Sequence, residues 1–240
     1  MIVKVMKKED IYKDAAKIFI DHINSTKNPV LGLATGSTPV GMYKELIKAC
    51  NDGKVSFKNT TTFNLDEYVG LEGTHDQSYR YFMNENLFNH IDIDKKNTNV
   101  LLGVGDYVSF MNEYDKKIAA AGGIDIQLLG IGSDGHIAFN EPGTAFDSLT
   151  HVAELTDQTI TDNARFFAKK SDVPTKAVTM GLQSIMNAKK VVLIATGANK
   201  AKAVRELIKG HPSTEWPCTV LQGHKDVVVY CDEEAYSLVF

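Results

Sequence analysis

The sequence predicts a doubly wound α/β fold, a single, mostly parallel sheet with helices on both faces, forming a Rossmann-like three-layer sandwich over residues 1–240. Two observations carry this. Short runs of β-branched and apolar residues recur with little polar interruption, as in strands buried on both faces. Between them lie segments with apolar residues at helical spacing, so strand and helix alternate along the chain. No linker, low-complexity tract or repeat divides the sequence, which predicts one domain.

The elements follow in order. From about Glu9 to Asn24, the residues Ile11, Ala15, Ile18, Phe19 and His22 recur at helical spacing, and His22 reads as a packed or rim histidine. Val30 to Ala34 is a buried strand, followed by a helix through Tyr43, Leu46 and Ile47. Thr60 to Leu65 is a second strand, with a helix over Ser78 to Phe88 after it. Ile124 to Ile131 is a third strand. Lys190 to Ala195 precedes a helix over Ala198 to Ile208, and Val227 to Tyr230 closes the series. Residues Thr144 to Pro174 are more polar and less periodic, the pattern of a flap over a site or of a surface excursion.

With 240 residues, 43% hydrophobic and 23% charged, the chain has the make-up of a soluble globular protein that buries a large core without staples. Its 26 basic and 30 acidic residues give a net charge of -4, which argues against a nucleic-acid-coating protein but leaves room for a small basic pocket. The first residues form no signal peptide, and no apolar run approaches the ~20 residues needed to cross a bilayer. Cys50, Cys218 and Cys231 are odd in number and far from any CxxC spacing, so reduced thiols and a cytoplasmic location are expected.

In an open parallel sheet, ligands bind beyond the carboxyl ends of the strands, and four polar clusters fall there. In Ala34 to Pro39, Gly36 permits a tight turn, Ser37 or Thr38 caps the next helix, and Pro39 suits its first turn. That arrangement serves as a phosphate cradle or as an ordinary helix start. In Asn64 to Gly70, Asp66 and Glu67 arrive as the chain turns, either as a proton-transferring base or as an Asx-type turn. In Gly130 to Pro142, three glycines lie within six residues, and Asp134, His136 and Glu141 gather on one loop. A carboxylate beside an imidazole makes a proton shuttle near neutral pH. Without HExxH, a second nearby histidine or a cysteine cluster, acid–base chemistry is preferred over a metal site. In Ala195 to Lys200, Lys200 opposes the helix dipole, which points to a bound anion or to a solvated lysine. Arg165 lies among aromatics and suits either bidentate phosphate binding or an internal ion pair.

Through Thr35–Pro39, Phe63–Gly70, Gly132–Pro142 and Ala164–Phe167, the chain resembles the glucosamine-6-phosphate deaminases of the glucosamine/galactosamine-6-phosphate isomerase family, almost end to end. Related 6-phosphogluconolactonases share the glycine turn and an Asp-Gly-His core but lack the Asn140–Pro142 continuation and the Asp66–Gly70 segment. The resemblance implies that His136 handles a ring-opening proton, oriented by Asp134 and Glu141. It implies that Asp66 moves a proton from C2 to C1, and that Gly36, Ser37, Thr38, Arg165 and Lys200 hold the phosphate. It implies no metal and no cofactor. Longer hexameric relatives bind an N-acetylated sugar phosphate through basic residues following the Asn-Glu-Pro segment and through a C-terminal extension. Here Ser148 to Ala153 holds no Lys or Arg and the chain stops at Phe240, so a monomer without that activation is expected. Two other readings compete with this one, a 6-phosphogluconolactonase and a non-catalytic sugar-phosphate sensor. A sensor would carry a DNA-binding helix-turn-helix, whereas this chain begins on a strand-like segment and is acidic overall.

Overall fold

The computed structural model describes residues 1–240 and contains ten strands in two sheets. The strands are β1 (Ile2–Val5), β2 (Val30–Leu33), β3 (Thr61–Asn64), β4 (Asp66–Tyr68), β5 (Thr98–Asn99), β6 (Ile126–Leu129), β7 (His151–Glu154), β8 (Lys176–Thr179), β9 (Lys190–Ala195) and β10 (Val227–Cys231). The α-helices are α1 (Lys8–Ser25), α2 (Val40–Asn51), α3 (Tyr79–Asn86), α4 (Tyr107–Ala120), α5 (Asp157–Asn163), α6 (Leu182–Met186), α7 (Ala201–Lys209) and α8 (Glu233–Tyr236).

The larger sheet has the order β1-β10-β9-β6-β2-β3-β5, and every neighbouring pair is parallel. Every residue of β2, β6 and β10 is buried, which is why these strands read as apolar runs, interrupted only by Gln127 in β6. The rims are blunted. β5 has two residues, and β1 leaves Ile2 and Val5 exposed.

Helix α1 turns Ile11, Ala15, Ala16, Phe19 and Ile23 inward, and α2 packs Met42, Tyr43, Leu46 and Ala49. Each fully buried Leu, Ile or Phe of this kind contributes about 1.5–3 kcal/mol. At Gly41 a Cβ would lie 2.2 Å from the Tyr12 ring, so the glycine is what lets α1 lay Tyr12 across the start of α2. His22 is a rim histidine, its Nε2 3.1 Å from Asp125 Oδ2. That buried carboxylate also accepts from the Val30 N–H at 2.8 Å and the Lys189 ammonium at 2.7 Å, tying together the starts of β2, β6 and β9.

The second sheet, β4-β8-β7, is antiparallel and is absent from the sequence reading. The Asp66–Tyr68 segment, read as a turn, is an extended strand in register with Ala177–Thr179. Leu65 is the junction. Its N–H donates to Leu33 in the large sheet, and its carbonyl accepts from Met180 beside the small one. β7 pins the first half of the Thr144–Pro174 segment to this sheet, and α5 with a 3-10 turn at Ala164–Phe166 follows. No helix is long and apolar enough to cross a membrane.

Candidate active site

The strand order reverses between β2 and β6, and the crevice beyond their carboxyl ends holds a cavity of about 400 Å³. Thr35–Thr38 after β2, Leu65 and Asp66 after β3, Gly130–Gly132 and His136 after β6, and Thr196, Asn199 and Lys200 after β9 all line it. The four clusters singled out in the sequence therefore meet in one place.

On the β2 side, Gly36 takes φ +83°, a left-handed conformation that suits glycine. The expected side-chain cap does not form. Pro39 is itself the N-cap of α2, later in the chain than the expected cap, and neither Ser37 nor Thr38 caps the helix. Both line the cavity instead, beside the start of a helix whose first N–H groups have no side-chain acceptor. Arg165 and Lys200 line the same cavity, and neither forms a salt bridge. Arg165 lies over the Phe166 ring, 4.7 Å from its centroid, so the internal ion pair left open by the sequence is not made. Burial lowers the Lys200 pKa, against the opposing pull of Asp162. Lys8 and Tyr12 from α1 and Tyr79 from α3 also line the cavity. Sequence reasoning missed these three, although Lys8 in the first turn of α1 opposes its dipole just as Lys200 does in its own.

On the β6 side, the loop folds tightly on itself. The Gly132 N–H donates to the His136 carbonyl at 2.8 Å, and the His136 N–H donates to Asp134 Oδ1 at 3.2 Å. The imidazole Nδ1 lies 2.8 Å from Asp134 Oδ1 and 3.6 Å from Glu141 Oε2. Burial pushes the Asp134 pKa up, but the pairing with His136 prevails and holds it at about 2. Asp134 and Glu141 are not in the cavity wall; they reach it only through His136. The donor atoms of these three residues lie within 4.8 Å of one another, close enough to hold a metal ion. Both carboxylates nevertheless face a single imidazole nitrogen, the arrangement of an oriented proton shuttle. A Cβ at Gly132 would meet the His136 ring at 2.4 Å, so the glycine makes room for the histidine.

The loop continues through Ala138, a cavity residue at φ +52° and the one non-glycine residue with positive φ. Asn140 holds that turn by donating to the Ile137 carbonyl at 2.9 Å and the Met180 carbonyl at 2.8 Å. Asp66 enters from the opposite side, 6% exposed, with its pKa pushed up to about 8 by burial and then by the charge of Glu67. It accepts no hydrogen bond from the protein. Tyr68, Tyr79, Phe139 and Phe167 pack together beside it, linking β4 and α3 to the histidine loop and to the segment after α5.

Residues 7–230 match the family model described as glucosamine-6-phosphate isomerases/6-phosphogluconolactonase. The chain belongs to this family. Within it, a glucosamine-6-phosphate deaminase from Clostridium perfringens (strain 13) is 54% identical over 232 residues, covering 96% of each chain. One from Thermoanaerobacter sp. is 52% identical, covering 96% of this chain and 92% of the relative. Among solved structures, a monomeric glucosamine-6-phosphate deaminase superposes with a TM-score of 0.97 at 44% identity, covering 99% of this chain and 100% of that one. The family's other branch shares the fold. A 6-phosphogluconolactonase from Thermotoga maritima superposes with a TM-score of 0.77 at 20% identity, over 96% of this chain and 99% of that one.

Proposed function

We propose that the chain is a glucosamine-6-phosphate deaminase, which converts glucosamine 6-phosphate and water to fructose 6-phosphate and ammonia. The observation that carries this reading is the placement of a buried, proton-hungry Asp66 and a carboxylate-paired His136 on one cavity with a cationic, N–H-rich end. Identity above 50% to deaminases over nearly the whole chain supports it over lactone hydrolysis.

The phosphate lies at Gly36, Ser37 and Thr38, facing Arg165 and Lys200. These contacts fix the far end of the sugar and so orient C1 and C2. His136, through the ring nitrogen not turned to Asp134, relays the ring-opening proton between the C1 hydroxyl and the ring oxygen. Asp66 takes the C2 proton from the open aldehyde, leaving an enolamine, and returns it at C1. The resulting C2 imine adds water and expels ammonia, leaving the ketone. Each step transfers a proton or water, so the roles of Asp134 and Glu141 are to orient and tune His136.

We further propose that α5 and the turn at Ala164–Phe166 form a cover over the site, since Thr159, Asp162, Asn163, Arg165 and Phe166 all reach the cavity from it. A monomeric state is supported by the monomeric relative, and a cytoplasmic location by three unpaired thiols.

The test is ammonia release from purified protein given glucosamine 6-phosphate, with 6-phosphogluconolactone hydrolysis run in parallel. Ammonia with stoichiometric fructose 6-phosphate is expected. Lactone hydrolysis alone would move the chain to the other branch, and silence in both assays would leave a sugar-phosphate sensor.

A further inference from the structure

Two acidic side chains sit side by side on β4 and are treated very differently by the fold. Asp66 faces the cavity and has no protein donor, whereas Glu67, pointing to the other face of the strand, is 2% exposed and accepts three backbone hydrogen bonds. Its Oε1 takes the Tyr68 and Tyr79 N–H groups, each at 2.9 Å, and its Oε2 takes the Arg80 N–H at 3.0 Å. Tyr79 and Arg80 are the first two residues of α3, so the carboxylate sits at the positive end of a helix.

We propose that Glu67 is a positioning residue for the reaction, the member of the pair that stays ionised so that its neighbour Asp66 is a strong enough base to take a proton from carbon. The inference rests on the role of Asp66 proposed above.

Three N–H donors and a helix start favour the charged form of Glu67, whereas nothing in the protein favours a charged Asp66. Burial raises both groups, but the three N–H bonds oppose it at Glu67 alone, so Glu67 gives up its proton first and its charge then holds Asp66 high. The other titratable groups around the pair are Tyr68 on β4, Tyr79 and Arg80 on α3, Tyr114 on α4, and His136 across the cavity. Burial moves the three tyrosines further above neutrality. The Arg80 guanidinium is committed to Thr98, bonding its hydroxyl at 2.7 Å and its carbonyl at 3.0 Å. Glu67 is therefore the negative charge set against Asp66. Two of these bonds, from the Tyr79 and Arg80 N–H groups, fix α3 to β4 and so place Tyr79 in the cavity wall.

The experiment is the pH dependence of kcat/KM for ammonia release from glucosamine 6-phosphate by the full chain, with circular dichroism and Tm measured alongside. In Glu67→Gln, which keeps the shape and removes the charge, the acid limb is expected to move down by about one pH unit. The plateau is expected to fall about tenfold or more as the base weakens, with KM little changed. Glu67→Asp keeps the charge and should keep the limb where the wild type has it, at a lower plateau. An unmoved limb in Glu67→Gln, with the loss confined to Tm, overturns the proposal and leaves Glu67 a structural cap. If that variant does not fold, carboxyl-labelled 13C NMR of the wild type decides, and the proposal falls if Asp66 loses its proton before Glu67. A wild type that releases no ammonia sinks the proposed reaction and this inference with it. An active wild type with an unmoved limb in the variant sinks this inference alone.

Discussion

The His136 imidazole turns Nδ1 onto Asp134, 2.8 Å from Oδ1, and leaves Nε2 as the nitrogen available to the cavity. Glu141 Oε2 stands 3.6 Å from the same Nδ1, so one nitrogen answers to two carboxylates. Replacing Asp134 by Asn removes the nearer charge and lets the ring take the other tautomer. The kcat on the closed sugar is expected to fall roughly 10²-fold or more, with KM within a few-fold of wild type. Steady-state assays check this, and an unchanged kcat would remove Asp134 from the proton relay.

Asp66 sets the second expectation. Its carboxyl is held at about 8, so the base is fully available only above that pH. In the free enzyme kcat/KM should rise through the neutral range and level off on the alkaline side, as measured in a buffer series at constant ionic strength. Asp66→Asn should nearly abolish turnover while leaving sugar-phosphate affinity largely intact by calorimetry. Equal loss of both would make Asp66 structural.

Gly132 and Gly36 are both loop glycines of the site, yet they should fail in different ways. A Cβ at 132 would lie 2.4 Å from the His136 ring and 2.6 Å from Asp134 Oδ1, whereas nothing lies within 4 Å of a Cβ at 36. Gly132→Ala is expected to lose most of kcat through a displaced histidine. Gly36→Ala should instead cost about 1–2 kcal/mol of stability for its left-handed backbone, read as a lower Tm.

Arg165 and Lys200 have no carboxylate partner to release when phosphate arrives. Lys200→Met and Arg165→Met should each raise KM roughly 10- to 100-fold, the size of a hydrogen bond to a charged group, and should weaken competitive inhibition by inorganic phosphate in step. Inhibition that persists at wild-type strength would place the phosphate elsewhere.

Asp125 bears on stability rather than turnover. Burial raises its pKa, but Lys189, the Val30 N–H and His22 together bring it below the usual carboxylate value. A depressed native pKa adds stability above the unfolded value, and that stability is lost as pH falls through the native one. Asp125→Asn should lower Tm at pH 7, and the gap to wild type should close as pH drops below about 4. A gap that persists in acid would assign the loss to packing.

The middle of the fold was plain in the sequence because burial on both faces favours apolar side chains at nearly every strand position. Val30–Leu33 and Val227–Cys231 therefore announce themselves. β5 does not, since Thr98–Asn99 is a two-residue strand made by pairing with Thr62 and Phe63 rather than by local preference. α4 carries Tyr107, Phe110, Tyr114 and Ile118 at helical spacing, a signal that was present but went unread behind the glycines at 103 and 105. The small antiparallel sheet was illegible for a different reason. Its first strand is Asp-Glu-Tyr, polar residues that become buried only because α3 supplies N–H groups to Glu67 and aromatic rings surround Tyr68.

The site divides the same way. Residues leaving a strand were found because the strand end marks them, as with Ser37, Asp66, His136 and Lys200. Lys8, Tyr12 and Tyr79 arrive on helices chosen for their apolar faces, and their polar tips look like ordinary solvent-facing residues.

The reversal of strand order between β2 and β6 has a consequence for how the protein responds to its ligand. The two strands are neighbours in space but far apart in the chain, and the Val30 N–H bond to Asp125 closes their far ends. The stretch up to Tyr79 and the stretch from Gly130 to Lys200 each bring only part of the wall, so the pocket closes only once the centre of the sheet has zipped. An occupant that grips both sides acts as a rivet through the middle of the molecule. It should raise the unfolding temperature of the whole chain in one transition and slow amide exchange in β2 and β6 together.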